Sequence, residues 1–366
     1  MESTKKHPVR LIVVAPGMLD GAEESGFWPD WRLRWEECFR LQPKQDSVHC
    51  FESQFLGLPP EIDIHAGPLA VALHKVFPPQ DAVLLALSLG SVDAGGFMRQ
   101  PLVSTEAEFI QIVNQLNRLN STKLTLIAEH GLDLGLVWEG GSISNRLVPF
   151  GEVIGQDIEE NMPQGDGDRL LKTYIDDSRE LLSNLDFNKS REDRELAPIN
   201  IAWPWGGGLM PKLPNLPLRY GGPVDVAGGG NTINALCRLT GASRNPIATN
   251  FKAKWNEFRP RASRSILILD ALGEAANAHQ FDRIEKQWIA FVDSIRALQS
   301  QMKETRIRLS VLCPSLSDKN GVGWVCEELF ALPQSPAEQR DRIEGSQQRA
   351  VWEIVDQSLS FAPSER

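Results

Sequence analysis

The side chains that could carry chemistry in this sequence are few and widely spaced. No G-x-S-x-G elbow, H-E-x-x-H helix, Walker A loop or paired-cysteine zinc spacing occurs. The six histidines are His7, His49, His65, His74, His130 and His279, and the five cysteines are Cys38, Cys50, Cys237, Cys313 and Cys326. Because the cysteines have no C-x-x-C spacing, we expect reduced thiols in a cytoplasmic protein.

Two local patterns have both a binding and a packing interpretation. The run Gly228-Gly229-Gly230 precedes a predicted helix, where backbone amides and the helix dipole favour an anion such as phosphate. It lacks the P-loop lysine, so we favour a packing role. Trp203 and Trp205 alternate along a predicted strand, and we expect core and rim packing rather than a stacking surface for a ligand.

Strand and helix patterns alternate through most of the chain. Apolar runs predict strands at 9–15, 81–89, 123–129, 198–202, 265–270 and 306–312. Helical periodicity and capping residues predict helices at 104–117, 167–185, 231–239 and 279–298. Aromatic residues at 28, 31, 35 and 39 have helical spacing and predict a further helix. This order favours an α/β fold with a mostly parallel sheet and helices on both faces.

Composition excludes several classes of partner. Hydrophobic residues make up 42% of the chain and charged residues 23%, which is ordinary for a globular protein. The net charge of −10 disfavours nucleic acid and anionic membranes as partners. No apolar run reaches the length of a membrane helix, and the short N-terminal apolar run is interpreted as a first strand rather than a signal peptide.

One stretch, residues 203–241, resembles the signature segment of a known family. It reads WPWGGGLMPKLPNLPLRYGGPVDVAGGGNTINALCRLTG. This is similar to the archaeal-type, 2,3-bisphosphoglycerate-independent phosphoglycerate mutases of the alkaline-phosphatase superfamily. The matching residues are Trp203, Trp205, Gly206, Gly208, Pro211, Leu213, Pro214, Tyr220, Gly221, Arg238, Leu239 and Gly241.

The resemblance extends over roughly residues 9 to 320 as an ordered series of shorter matches. These are Leu56-Gly57-Leu58-Pro59, Gly67-Pro68-Leu69, Ser104-Thr105-Glu106, the set Ser178, Leu182, Asn188 and Arg191, the set Thr249-Asn250-Phe251 and Lys254, and the set His279, Asp282 and Lys286. The resemblance implies an alkaline-phosphatase-like core formed by residues 1–78 and 200–366. Residues 79–199 would then be an inserted cap domain.

The resemblance also implies a chemistry whose residues are largely missing. Family members move a phosphoryl group between hydroxyls of phosphoglycerate through a phosphoserine, with two divalent ions (Mn, Zn or Mg). Pro16 stands at the first metal aspartate, and a proline side chain cannot ligate a metal. The metal candidates that remain are His279, Asp20 and Asp270. The nucleophile position falls on Val48, with Ser47 next to it as the one candidate.

The substrate side is similarly altered. The family's arginine in the R-x-N-L-V-T element falls on Leu85, and a lysine in the signature helix is replaced by Asn234. Arg191 and Lys254 coincide with family positions and are candidates for holding an acidic ligand. The alternative is that both are solvated or structural charges.

These observations support three hypotheses. The first is a mutase-like homologue without catalysis or retained metals, whose remaining role is binding or regulation and whose ligand is a small phosphorylated acid. The alternative is an active metal-dependent mutase or phosphohydrolase with a rebuilt site. A third is a module that binds a protein through its tryptophan-rich N-terminal helix. The sequence does not identify a protein partner.

Overall fold

The chain divides into two units, described here from a computed structural model. The described residues are 9–15, 36–40, 52–59, 62–102, 104–129, 131–245, 264–269, 284, 286, 307–314 and 322–330. The first unit comprises Met1–Gln45, Phe51–Ile62 and Leu213–Arg366, and the second comprises Asp46–Cys50 and Asp63–Lys212.

The first unit contains a seven-stranded, mostly parallel sheet. Its strands are β1 (Val9–Val14), β2 (Glu36–Arg40), β8 (Val224–Gly228), β9 (Ser243–Asn245), β10 (Arg264–Ile268), β11 (Ile307–Pro314) and β12 (Val322–Phe330). They lie in the order β2-β12-β11-β1-β10-β8-β9. The pairs from β11 to β9 are parallel, whereas β12 runs antiparallel to both of its neighbours. Near-continuous apolar runs such as Leu11–Val14 are buried because a parallel sheet is covered on both faces.

Three described helices belong to the first unit. They are α1 (Glu52–Phe55), α7 (Leu216–Arg219) and α8 (Asn231–Thr240). Helix α8 buries one face, including Ile233, Leu236 and Cys237, and ends at Gly241 in the left-handed conformation.

The second unit is built on a five-stranded antiparallel sheet. Its strands are β3 (Val83–Val92), β4 (Met98–Arg99), β5 (Leu124–Ile127), β6 (Leu134–Trp138) and β7 (Ile201–Gly208). Strand β3 is central: it pairs with β7 and with both β6 and β4, and β5 pairs with β6. The helices are α2 (Ala66–Ala72), α3 (Glu106–Leu116), α4 (Phe150–Val153), α5 (Asp168–Ser183) and α6 (Asp186–Glu192).

The unit boundaries lie inside the segments assigned to the core from sequence. The resemblance predicts boundaries at 78/79 and 199/200, and that division into core and cap stays a prediction. The longer segment of the second unit, Asp63–Lys212, extends beyond both positions. The reason is that β7 pairs with β3 over most of its length and α2 packs on the same sheet. That the second unit acts as a cap stays a prediction.

The helix predicted from the aromatic spacing at 28–39 is wrong where the structure describes it. Glu36–Arg40 form strand β2, which pairs with Val322–Val325 of β12. Pairing with a distant strand therefore overrides a local helical period. Among the described residues, no helix is both long and apolar enough to cross a membrane.

Candidate functional site

The candidate site lies at the carboxyl ends of β1, β10 and β11, because α/β folds bind ligands at the carboxyl ends of parallel strands. The three strands are in register, with Val14 opposite both Ile268 and Leu312. Pairing continues beyond β10, since the Leu269 amide donates to the Val14 carbonyl at 2.8 Å. Val14, Ala15, Ile268 and Leu269 are all buried and apolar. The described ends of β1 and β10 therefore present no polar side chain.

Most of the candidate residues lie outside the described residues. These are the nucleophile candidate Ser47, the metal candidates Asp20, Asp270 and His279, and the ligand candidate Lys254. Asp270 follows Leu269 directly in the sequence. Their roles stay predictions. Arg191 is the one candidate whose side chain is described.

Arg191 is buried and bonded to protein groups. Its side chain is 2% exposed, and the guanidinium donates to the Ala197 carbonyl at 2.9 Å and to the Leu102 carbonyl at 3.0 Å. It also donates to a carboxylate oxygen of Glu108 at 3.2 Å. This geometry gives Arg191 a structural role, joining α6 to the start of α3, and it does not support ligand binding, which stays a prediction.

Glu108 is the residue that sequence analysis missed in this cluster. Its carboxylate accepts from the Thr105 amide at 2.7 Å, and the Thr105 hydroxyl accepts from the Glu108 amide at 3.3 Å. The other carboxylate oxygen of Glu108 accepts from the Arg194 guanidinium at 3.3 Å. Burial opposes ionisation, but the Thr105 amide and the Arg191 charge outweigh it and hold the pKa of the Glu108 carboxyl below its usual value. The T-x-x-E spacing of a capping box was the available signal.

Two further residues of the same sequence pattern support β7. The Ser178 hydroxyl accepts from the Ala202 amide at 3.0 Å and donates to the Ile175 carbonyl at 2.7 Å. The Asn188 side chain accepts from the Ile199 amide at 2.9 Å and donates to the Ile199 carbonyl at 3.0 Å. Both side chains are buried, so this part of the pattern stabilises the strand rather than forming a site.

The tryptophans pack as predicted. Trp203 is 1% exposed, and its indole nitrogen donates to the Val148 carbonyl at 3.0 Å. Trp205 is half-buried at the rim of the same cluster and donates to the Ser88 hydroxyl at 2.9 Å. Both indoles therefore have packing and hydrogen-bonding roles within the second unit.

Comparison with known proteins gives short sequence matches and full-length structural ones. No family model matches the chain. A probable 2,3-bisphosphoglycerate-independent phosphoglycerate mutase from Geobacter sulfurreducens is 29% identical over 86 residues, covering 24% of this chain and 22% of that protein. A 2,3-bisphosphoglycerate-independent phosphoglycerate mutase from Methanothrix thermoacetophila is 32% identical over 97 residues, covering 24% and 25%. These matches span about a quarter of the curated relatives.

Longer matches come at lower identity. A 2,3-bisphosphoglycerate-independent phosphoglycerate mutase from Methanoculleus marisnigri is 22% identical over 302 residues, covering 73% of this chain and 70% of that protein. The cofactor-independent phosphoglycerate mutase structure from Thermoplasma acidophilum covers 95% of this chain and 98% of its own, at 14% identity and a TM-score of 0.56. The PH0037 protein from Pyrococcus horikoshii covers 88% and 87%, at 12% identity and a TM-score of 0.60.

The chain is similar in sequence to 2,3-bisphosphoglycerate-independent phosphoglycerate mutases. The structural neighbours confirm the predicted α/β, alkaline-phosphatase-like fold class.

The described residues do not form a site for the two divalent ions that the resemblance implies. Across the described ranges, no group of three His, Cys, Asp or Glu side chains is placed to hold a metal. The described ends of β1 and β10 offer alkyl groups where oxygen or nitrogen ligands are required. We therefore derive no chemical step through a metal, and the prediction that none is retained stays a prediction.

The glycine turn at the end of β8 has a packing function. Gly228 and Gly229 both have positive φ, at 76° and 73°. A Cβ on Gly228 would collide with the Ile268 carbonyl, so the turn lies directly against β10. The Arg244 guanidinium donates to the carbonyls of Gly228 and Gly229, the latter at 2.6 Å. Anion binding at this turn stays a prediction.

Proposed function

We propose that this chain is a cytoplasmic, mutase-like binding or regulatory protein that does not catalyse phosphoryl transfer. The observation that carries the proposal is the apolar character of the strand ends at Val14–Ala15 and Ile268–Leu269, in register with each other. Its ligand would be a small phosphorylated acid, by analogy with what the relatives' names state.

Phosphoryl transfer needs groups that the described strand ends lack. Transfer of a phosphoryl group through a serine needs an activated oxygen nucleophile, and metal-assisted transfer needs ligands that hold cations beside the reacting oxygens. Alkyl side chains at the strand ends supply neither, and Pro16, the next residue after Ala15, adds only a ring of methylene groups. Binding of a ligand, in contrast, needs neither an activated nucleophile nor metal ligands.

A second candidate function is an active, metal-dependent mutase or phosphohydrolase with a rebuilt site. One observation favours it: β10 remains paired with β1 as far as Leu269, and Asp270, a candidate metal ligand, is the next residue in the sequence. Asp20, Asp270 and His279 would supply metal ligands, and Ser47 the nucleophile.

One experiment separates the two functions. Phosphoglycerate mutase turnover is followed by phosphorus NMR with excess Mn²⁺, and the metal content of the same sample is quantified. No turnover and no bound metal are expected. Turnover that chelator abolishes would refute the proposal, and its loss in the variants His279→Ala and Ser47→Ala would then establish the rebuilt site.

A further inference from the structure

Strand β5 is the last strand on its side of the second unit's sheet. It pairs with β6, and no other strand of the described residues lies beyond it. The Lys123 carbonyl accepts from the amide of Glu139, the residue after β6. This bond fixes which residues of β5 turn their backbone groups toward β6 and which turn them away. The backbone groups of Leu124 and Leu126 therefore point away from β6.

The turn before β5 folds back onto these outward groups. The Asn120 side-chain oxygen accepts from the Leu126 amide at 2.8 Å. The Ser121 hydroxyl accepts from the Leu124 amide at 3.1 Å, and the Ser121 amide donates to the Leu124 carbonyl at 2.8 Å. The side-chain nitrogen of Asn120 donates to the Asn117 side-chain oxygen at 3.1 Å. This bond turns the side-chain oxygen of Asn120 toward the strand. Three of the four outward groups are thus occupied.

An edge strand of this composition needs such protection. Residues Leu124–Ile127 read LTLI, a β-prone sequence without charge, and an open edge of this kind is a template for another strand. Two other strands of the same sheet also have outward backbone groups that are hydrogen-bonded. In β7 the partner is the Ser178 hydroxyl, and in β4 it is the backbone of Gly155 and Gln156.

We propose that Asn120 and Ser121 form an edge cap, which keeps β5 from pairing with the β5 of a second copy of this chain. A consequence for partners is that this edge does not accept an added strand. Any partner of the second unit then binds a face or a loop rather than extending the sheet through β5.

The test removes the cap from the full-length protein. The double variant Asn120→Ala/Ser121→Ala loses both side-chain acceptors and keeps all strand residues. Asn184→Ala is the matched control, because it likewise removes a side-chain-to-backbone hydrogen bond of an exposed asparagine, in which the amide donates to the Glu180 carbonyl at 2.7 Å, but at a helix end rather than a strand edge. Sedimentation velocity is measured from about 1 to about 100 µM, a range in which exposed edges associate.

Hydrogen exchange of peptides covering 119–129 is measured on the same samples. We expect up to about tenfold faster exchange in the double variant, since each lost hydrogen bond is modest, together with association that increases with concentration. The control should sediment like the parent protein.

Two results would overturn the proposal. The first is a double variant whose exchange is faster at 119–129 but whose sedimentation matches the parent at every concentration. The second is equal association of the control, which would show a general effect of destabilisation. If the double variant does not fold, as judged by circular dichroism, Asn120→Ala alone is subjected to the same two criteria.

Discussion

The contact between Arg191 and Glu108 gives a quantitative prediction for the variant Glu108→Gln. The substitution removes the negative charge beside a guanidinium whose side chain is 2% exposed and whose other partners are the neutral Leu102 and Ala197 carbonyls. Breaking a buried ion pair costs about 3–5 kcal/mol. We expect about 3 kcal/mol, because glutamine keeps the volume and one acceptor oxygen. Peptides covering α3 and α6 should therefore exchange about a hundredfold faster at constant pH.

The variant Glu106→Gln is the matched control for Glu108→Gln. It makes the same chemical change in the first turn of the same helix, but Glu106 is exposed. Its effect should stay within about 0.5 kcal/mol. Equal exchange in Glu108→Gln and Glu106→Gln would refute the argument that the buried pair holds α6 to α3.

The same pair sets a pH dependence with a definite sign. Because folding lowers the pKa of Glu108 from 4.5, its ionised form stabilises the fold above that value, and the stabilisation is lost as the pH falls through the folded pKa. Urea midpoints between pH 6 and about pH 3 should fall more steeply in the parent protein than in Glu108→Gln. Parallel curves for the two proteins would contradict this assignment.

Three other changes test separate parts of the structure. Asn188→Ala should cost about 2–4 kcal/mol, because it leaves buried backbone groups of Ile199 unpaired; an unchanged urea midpoint would contradict this. Burial raises the pKa of the Cys237 thiol to about 11, although the Arg244 charge opposes the rise. Native protein at pH 8 should therefore resist alkylation at Cys237, as peptide mass spectrometry would show, and fast labelling without denaturant would refute it. Gly228→Ala should destabilise the first unit by about 2–4 kcal/mol through its collision with the Ile268 carbonyl, seen as a lower thermal midpoint; an unchanged midpoint would show that the turn is not tightly packed.

Local sequence patterns predicted the elements of the first unit better than the pairing in the second. The apolar runs at β1, β10 and β11 and the amphipathic helix α8 were recognised because one short segment determines each of them. The antiparallel sheet of the second unit was not predicted, since β3 pairs with β7 more than a hundred residues later. Nothing within either segment encodes that partner.

The partners of individual side chains are likewise not encoded in the neighbouring sequence. Arg191 was identified from sequence as a candidate, but its partners at Leu102 and Glu108 lie in a distant segment, and only the folded chain shows that its charge is used internally. The absence of ligating side chains at Pro16 was evident from sequence alone.

The longer segment of the second unit, Asp63–Lys212, begins and ends close together. The His65 ring lies against Gly208, and Ala66 against Gly206, so closely that a Cβ on either glycine would collide with it. The two ends of this segment are therefore neighbours in space. A segment with adjacent termini can be gained, lost or exchanged in evolution while its host strands keep their order, and a short Gly-Ser bridge could replace it in an engineered chain.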